Sequence, residues 1–162
     1  MKQIIVMALM AAGITSSAFA KDKGEEKINE ITVDHFHEDF PAAAQATWIK
    51  GGGFDKVTFE QKGETLTAYY DFDNNLMGTM QNVEETALPE KSIKQIDKHY
   101  PDYVVAQVLK FEDNQENDND INYFYEPVHE PLSYFVELTN EKHEIILQVS
   151  PNGEMSFFKQ LQ

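Results

Sequence analysis

The chain has 162 residues, 13 basic against 28 acidic, a formal charge of −15 at pH 7, and neither arginine nor cysteine. An acidic surface without arginine's planar fork argues against nucleic acid or an anionic membrane as partner, since both demand a basic footprint. Without cysteine there can be no disulfide and no acylated lipid anchor, so the fold must rest on its apolar core.

Residues 1–20 have the pattern of a secretory signal. Lys2 gives the charged start, residues 4–14 the apolar run, and Ala18-Phe19-Ala20 the small-x-small motif, with cleavage expected after Ala20. The run is too short for a membrane span, which takes about 20 residues. The expected location is the periplasm or the exterior. Residues 21–31 follow as a short charged leader.

Residues 32–40 place Val33, Phe36 and Phe40 three and four apart, which predicts a helix with one apolar face. Thr32 is the expected N-cap, and Pro41 stops the helix by restricting the residue before it. Strands are predicted at 46–50, 54–61, 65–72 and 76–83. They are separated by Gly51-Gly52-Gly53, Lys62-Gly63 and Asp73-Asn74-Asn75, residues that suit tight turns. Alternation puts Val57, Phe59, Leu66, Ala68 and Tyr70 on one face.

The same grammar returns downstream. Pro89 stands near a second helix start, Ile93, Ile96 and Tyr100 share a face, and Pro101 is the stop. Strands are predicted at 104–111, 132–140, 143–149 and 154–159, with Ser150-Pro151-Asn152-Gly153 as the last turn. Phe36-x-x-x-Phe40-Pro41 recurs as Ile96-x-x-x-Tyr100-Pro101. Val57-x-Phe59 and Leu66-x-Ala68-x-Tyr70 recur as Val136-x-Leu138 and Ile145-x-Leu147-x-Val149. The expected fold is α+β: two tandem repeats, each a helix plus a four-stranded antiparallel meander, with the helices on one face of a shared or adjoining sheet. The repeats span 32–84 and 88–162. The second carries an insertion at 111–132 that begins acidic and ends aromatic.

A helix closing in Phe40-Pro41 or Tyr100-Pro101, a strand with Trp48-x-Lys50, and Ala68-x-Tyr70-Asp71-x-Asp73 together resemble the PepSY-like family. That family of small exported bacterial proteins is also described as β-lactamase-inhibitor-protein-like. The resemblance runs over residues 32–160 in two copies. Val108 replaces the tryptophan in the second, and Val149-Ser150 replaces Tyr-Asp. It implies helices on one face of a continuous antiparallel sheet and a second face open to a partner, which the members named as inhibitors use to bind an enzyme. It brings no catalytic residues and no cofactor.

The residues themselves offer little chemistry. His35 and His37 are two apart and point away from one another on a helix, although His35 and Asp39 could meet. Asp71-x-Asp73-x-Asn75 opens like a calcium loop, but Leu76 and Asn82 stand where its glycine and glutamate belong, so turn chemistry is the better reading. Ser92, Ser133, Ser150 and Ser156 lie in no nucleophile elbow, and zinc and phosphate-loop motifs are missing. The expected function is therefore a non-enzymatic, inhibitor-like module for a protein or peptide, using the open sheet face and the insertion arm. Trp48, Tyr69, Tyr123, Phe124 and Tyr125 are the expected contacts, because aromatic anchors dominate interfaces. The alternative is an acidic envelope protein holding calcium through Asp113, Asp118 and Asp120.

Overall fold

The computed structural model describes residues 27–51, 53–114 and 130–161, together with the backbone of 122–123 and 126–127. Helix α1 (Glu30–Asp39) leads into β1 (Ala44–Lys50), β2 (Asp55–Gln61), β3 (Glu64–Tyr70) and β4 (Leu76–Asn82). A 3-10 turn (Glu85–Ala87) then delivers α2 (Glu90–His99) and β5 (Val104–Asp113). The two-residue strands β6 (Asn122–Tyr123) and β7 (Glu126–Pro127) pair only with each other. The chain finishes in β8 (Leu132–Thr139), β9 (Glu144–Val149) and β10 (Met155–Gln160). Predicted and observed strand ends agree to within two residues.

The eight long strands form one antiparallel sheet in the order β1-β2-β3-β4-β5-β8-β9-β10. Its middle is the β4–β5 ladder, where Gly78 faces Asp113, Met80 faces Phe111 and Asn82 faces Leu109. Both outer strands are broken by a bulge. In β1 it falls between Ala44 and Thr47, where Gln45 has φ 55°, and in β10 between Phe157 and Lys159.

Two apolar clusters lie on the helical side. Phe36 of α1 is buried among Val57, Phe59, Ala68 and Tyr70. Its ring meets Phe59 at 5.0 Å and Trp48 at 5.4 Å, both edge-on. Ile96 of α2 is buried among Val108, Val136, Leu138, Leu147 and Val149. The two helices match position for position in burial at a spacing of sixty, with Thr32 and Ser92 buried like Phe36 and Ile96. Phe40 and Tyr100 end them alike, each returning its backbone N–H to the carbonyl four residues back, Phe36 or Ile96.

Thr32 is not the N-cap. Asn29 caps α1 by accepting from the Ile31 backbone N–H at 3.1 Å, so the cap lies three residues earlier than expected. Asparagine is at least as good a cap as threonine, and the buried Thr32 hydroxyl has another use. It donates to Asn74 Oδ1 at 2.8 Å, which also accepts from Asn29 Nδ2 at 2.7 Å. His35 Nδ1 bonds the Asn74 carbonyl at 2.7 Å. The β3–β4 turn thereby clamps the start of α1. Asn74 tolerates the required φ of 68°, and Asp71 Oδ1 builds the turn by accepting from the Asp73 and Asn75 N–H groups at 2.9 Å.

The second face of the sheet is not simply solvated, as a one-sided meander would leave it. Phe111, Phe135 and Ile146 are fully buried there with Met77 and Met80. The end of the chain accounts for part of this cover. Phe158 packs edge-on against Phe135 at 5.0 Å, and the Leu161 N–H bonds the Glu144 carbonyl at 2.8 Å.

Candidate functional site

Among the described residues, what stays open on that second face is a groove of about 1040 Å³ over β2, β3, β4 and β5. Strand alternation builds its floor. Thr67 faces Met80 across β3–β4, while Ala68 and Tyr70 turn the other way into the helical core. Thr58 and Thr67 share a hydrogen bond of 3.0 Å, and Tyr69 donates to Met80 Sδ at 3.5 Å. Tyr69 also packs edge-on against Phe54 at 5.5 Å, and burial pushes its phenol pKa up. Glu64, Glu84, Gln107 and Leu109 complete the wall. Hydroxyls, a thioether and aliphatic carbons over one continuous surface suit side chains of a second polypeptide.

Beside the groove, Gln107 and Leu109 close against Phe135, Glu137 and Ile146, leaving no room even for a water molecule. Glu137 lies opposite Ile146 and Glu144 opposite Thr139, so the two glutamates are diagonal neighbours on one face. Burial first, then a hydrogen bond and charge repulsion from Glu144, pushes the Glu137 carboxyl from 4.5 up to about 7. The pair escaped sequence reasoning, although alternation along 132–139 and 144–149 would have put both carboxyls on the face away from Val136 and Leu147.

The expected contact residues separate. Tyr69 lines the groove. Trp48 faces the helical side, its ring against Phe36 and Tyr70, so it cannot share a surface with Tyr69. The alternation of β1 could not be phased against β2 across the glycine turn, which is why sequence left its face open. Tyr123 belongs to β6, of which only the backbone is described, and Phe124 and Tyr125 lie outside the described residues.

Of the calcium candidates, Asp113 ends β5, whereas Asp118 and Asp120 lie outside the described residues. Among the described residues no three His, Asp or Glu side chains converge as a metal site. His35 and Asp39 serve the fold instead, His35 on Asn74 and Asp39 on the Tyr70 hydroxyl. The serines do likewise: Ser92 donates to the Pro89 carbonyl, Ser133 accepts from Gln148, and Ser150 bonds Asn152 within its turn.

No protein-family model matches the sequence, and no curated protein matches it significantly. Solved structures do. A BLIP-like protein from Bacteroides fragilis superposes with a TM-score of 0.67 at 16% identity, over 85% of this chain and 89% of that one. The fold is shared with that BLIP-like protein. A DUF2874 family protein from Bacteroides uniformis gives 0.68 at 11% identity, over 83% and 91%. A predicted periplasmic protein from Bacteroides eggerthii gives 0.65 at 12%, over 83% and 88%. Identities this low establish a common fold and nothing finer. No helix among the described residues is long and apolar enough to cross a membrane.

Proposed function

We propose that this protein is an exported, non-catalytic binding module, built of two PepSY-like units in tandem, that holds a protein or peptide on the open face of its sheet. The groove carries this reading. It lies across the β4–β5 seam, takes its walls from both halves of the chain, and is left uncovered by both helices. Such a mixed polar and apolar concavity on a rigid sheet is the usual form of a binding site. The BLIP-like and predicted periplasmic neighbours are in keeping with a binding role and an envelope location. Residues 1–20 serve as the export signal, and the insertion 111–132, with Tyr123, Phe124 and Tyr125, adds to the contact surface.

Site-specific photo-crosslinking tests this. A benzoylphenylalanine at Thr67, in the groove, should give a discrete crosslinked species in intact cells. The same probe at Lys94, exposed on α2, should not, and Met80→Glu should abolish the species. Equal capture from both positions, or none from Thr67, would refute the proposal.

A further inference from the structure

Beyond the Tyr69 end of the groove, the same face of the sheet continues to Lys56. Strand alternation puts Lys56 on the side of Thr58, because Val57 between them is buried in the helical core. It stands in register with Ile49 on β1 and Tyr69 on β3. Neither neighbour carries a charge, and Ile49 is half exposed. Lys50 and Lys110, also on strands, are occupied, the first by the Lys27 carbonyl and the second by Glu112. Among the described residues Lys56 has no hydrogen-bond or ion-pair partner. The carboxylates of the same region are engaged or distant. Asp71, two residues past Tyr69, is buried and accepts from the Asp73 and Asn75 N–H groups. Glu60, four residues along β2, accepts from Gln45. Asp113 shares the rung but lies three strands away, roughly 14 Å at the usual interstrand spacing.

That lysine ties no two described elements together, in a chain whose formal charge is −15. Its stem can lie between Ile49 and the Tyr69 ring while the ammonium stays at the surface. A point charge so placed beside a groove suits an acidic side chain of whatever lies in it. Two residues along β2, about 7 Å, separate Lys56 from Thr58, so a chain lying over the Thr58–Thr67 floor comes within reach. Resting on the binding role proposed above, we infer that Lys56 receives an Asp or Glu side chain of the polypeptide that occupies the groove. The contact fixes where along the groove that polypeptide sits, and it extends the covered surface to Ile49. The net field of the protein repels acidic chains, so a preference for one acidic residue cannot come from overall charge.

A phage library of random heptapeptides, panned on the intact mature protein, tests this apart from the groove itself. Groove-binding peptides, those lost on a Met80→Glu control, should share an Asp or Glu at one fixed position. Panning on Lys56→Gln should remove that preference, and panning on Lys56→Glu should replace it with Lys or Arg. A selected peptide should lose about tenfold in affinity when its acidic residue is changed to the corresponding amide. The same change should cost nothing further on Lys56→Gln, the mark of a direct pair. An acidic preference that survives Lys56→Gln overturns the inference. Equal losses on Lys56→Gln for a peptide and its amide version would show that the substitution acts through the fold, and overturn it likewise. So would enrichment of groove-binding peptides with no acidic position, an outcome that leaves the binding role standing. No enrichment over the Met80→Glu control would bring down the groove reading and this inference together.

Discussion

The Tyr70 hydroxyl donates a 2.8 Å hydrogen bond to Asp39 Oδ2, tying the buried end of β3 to the last turn of α1. Burial, with this bond and the Asp39 charge behind it, raises the phenol pKa well above its usual value. Tyr70→Phe keeps the ring that packs beside Trp48 and loses only the bond. It should cost about 1 kcal/mol in urea unfolding, since Asp39 can turn to water. Asp39→Ala should cost more, because it leaves a buried hydroxyl unsatisfied.

Asn74 can be dissected by two substitutions. Asn74→Gly keeps the φ of 68° accessible and removes the bonds from Asn29 and Thr32, at an expected cost of about 1–2 kcal/mol. Asn74→Ala also forces an alanine into the left-handed region, adding roughly 1 kcal/mol. Equilibrium unfolding of both should rank alanine below glycine. The reverse order would show that Asn74 acts through the unfolded chain.

Gly78 sits where the two halves of the sheet join. A Cβ there would lie 2.6 Å from the Glu112 carbonyl oxygen and 3.0 Å from Phe111 Cε2. Because the first obstacle is backbone, Gly78→Ala must pry β4 from β5, at an expected cost of about 1–3 kcal/mol. Hydrogen exchange should speed up first along 78–82 and 109–113. Faster exchange confined to the strand ends would argue against a central clash.

Glu137 sets a pH signature. Its carboxyl titrates near 7 in the folded protein against 4.5 ordinarily, so the folded state holds the proton more tightly. The associated stability is complete below about pH 4.5 and is lost as pH rises through 7. Glu137→Gln should therefore match the parent near pH 4.5 and exceed it near pH 8. The margin should stay under about 1 kcal/mol, as expected for a solvent-screened carboxyl, and should shrink in salt. A variant less stable than the parent at pH 8 would contradict this.

Much of the architecture was legible because its signals are local. Phe40-Pro41 and Tyr100-Pro101 stop helices by sterics alone, and alternation from Val57 to Tyr70 assigned a buried face without any tertiary knowledge. What was missed depends on residues distant in sequence. The capping of α1 by Asn29 is obscured because Thr32 looks like a cap until Asn74, 42 residues away, claims its hydroxyl. Burial of the second face was half visible. Phe135 and Val136 are consecutive and both apolar, which on a strand demands cover on both sides. Tyr69 and Trp48 show the same limit, since alternation assigns faces within a strand but cannot phase it against another across a glycine turn.

An eight-stranded sheet that does not close presents two rows of peptide groups, on β1 and on β10, and each is a template for another copy. The bulges at Gln45 and Phe158 break the repeat spacing on both rows, so copies stacking side by side would lose register at every junction. Charge repulsion fades when carboxylates are neutralised, but backbone geometry does not titrate. Resistance to filament growth should therefore persist in acid, where the 28 acidic residues of this chain lose their charge and no longer keep copies apart.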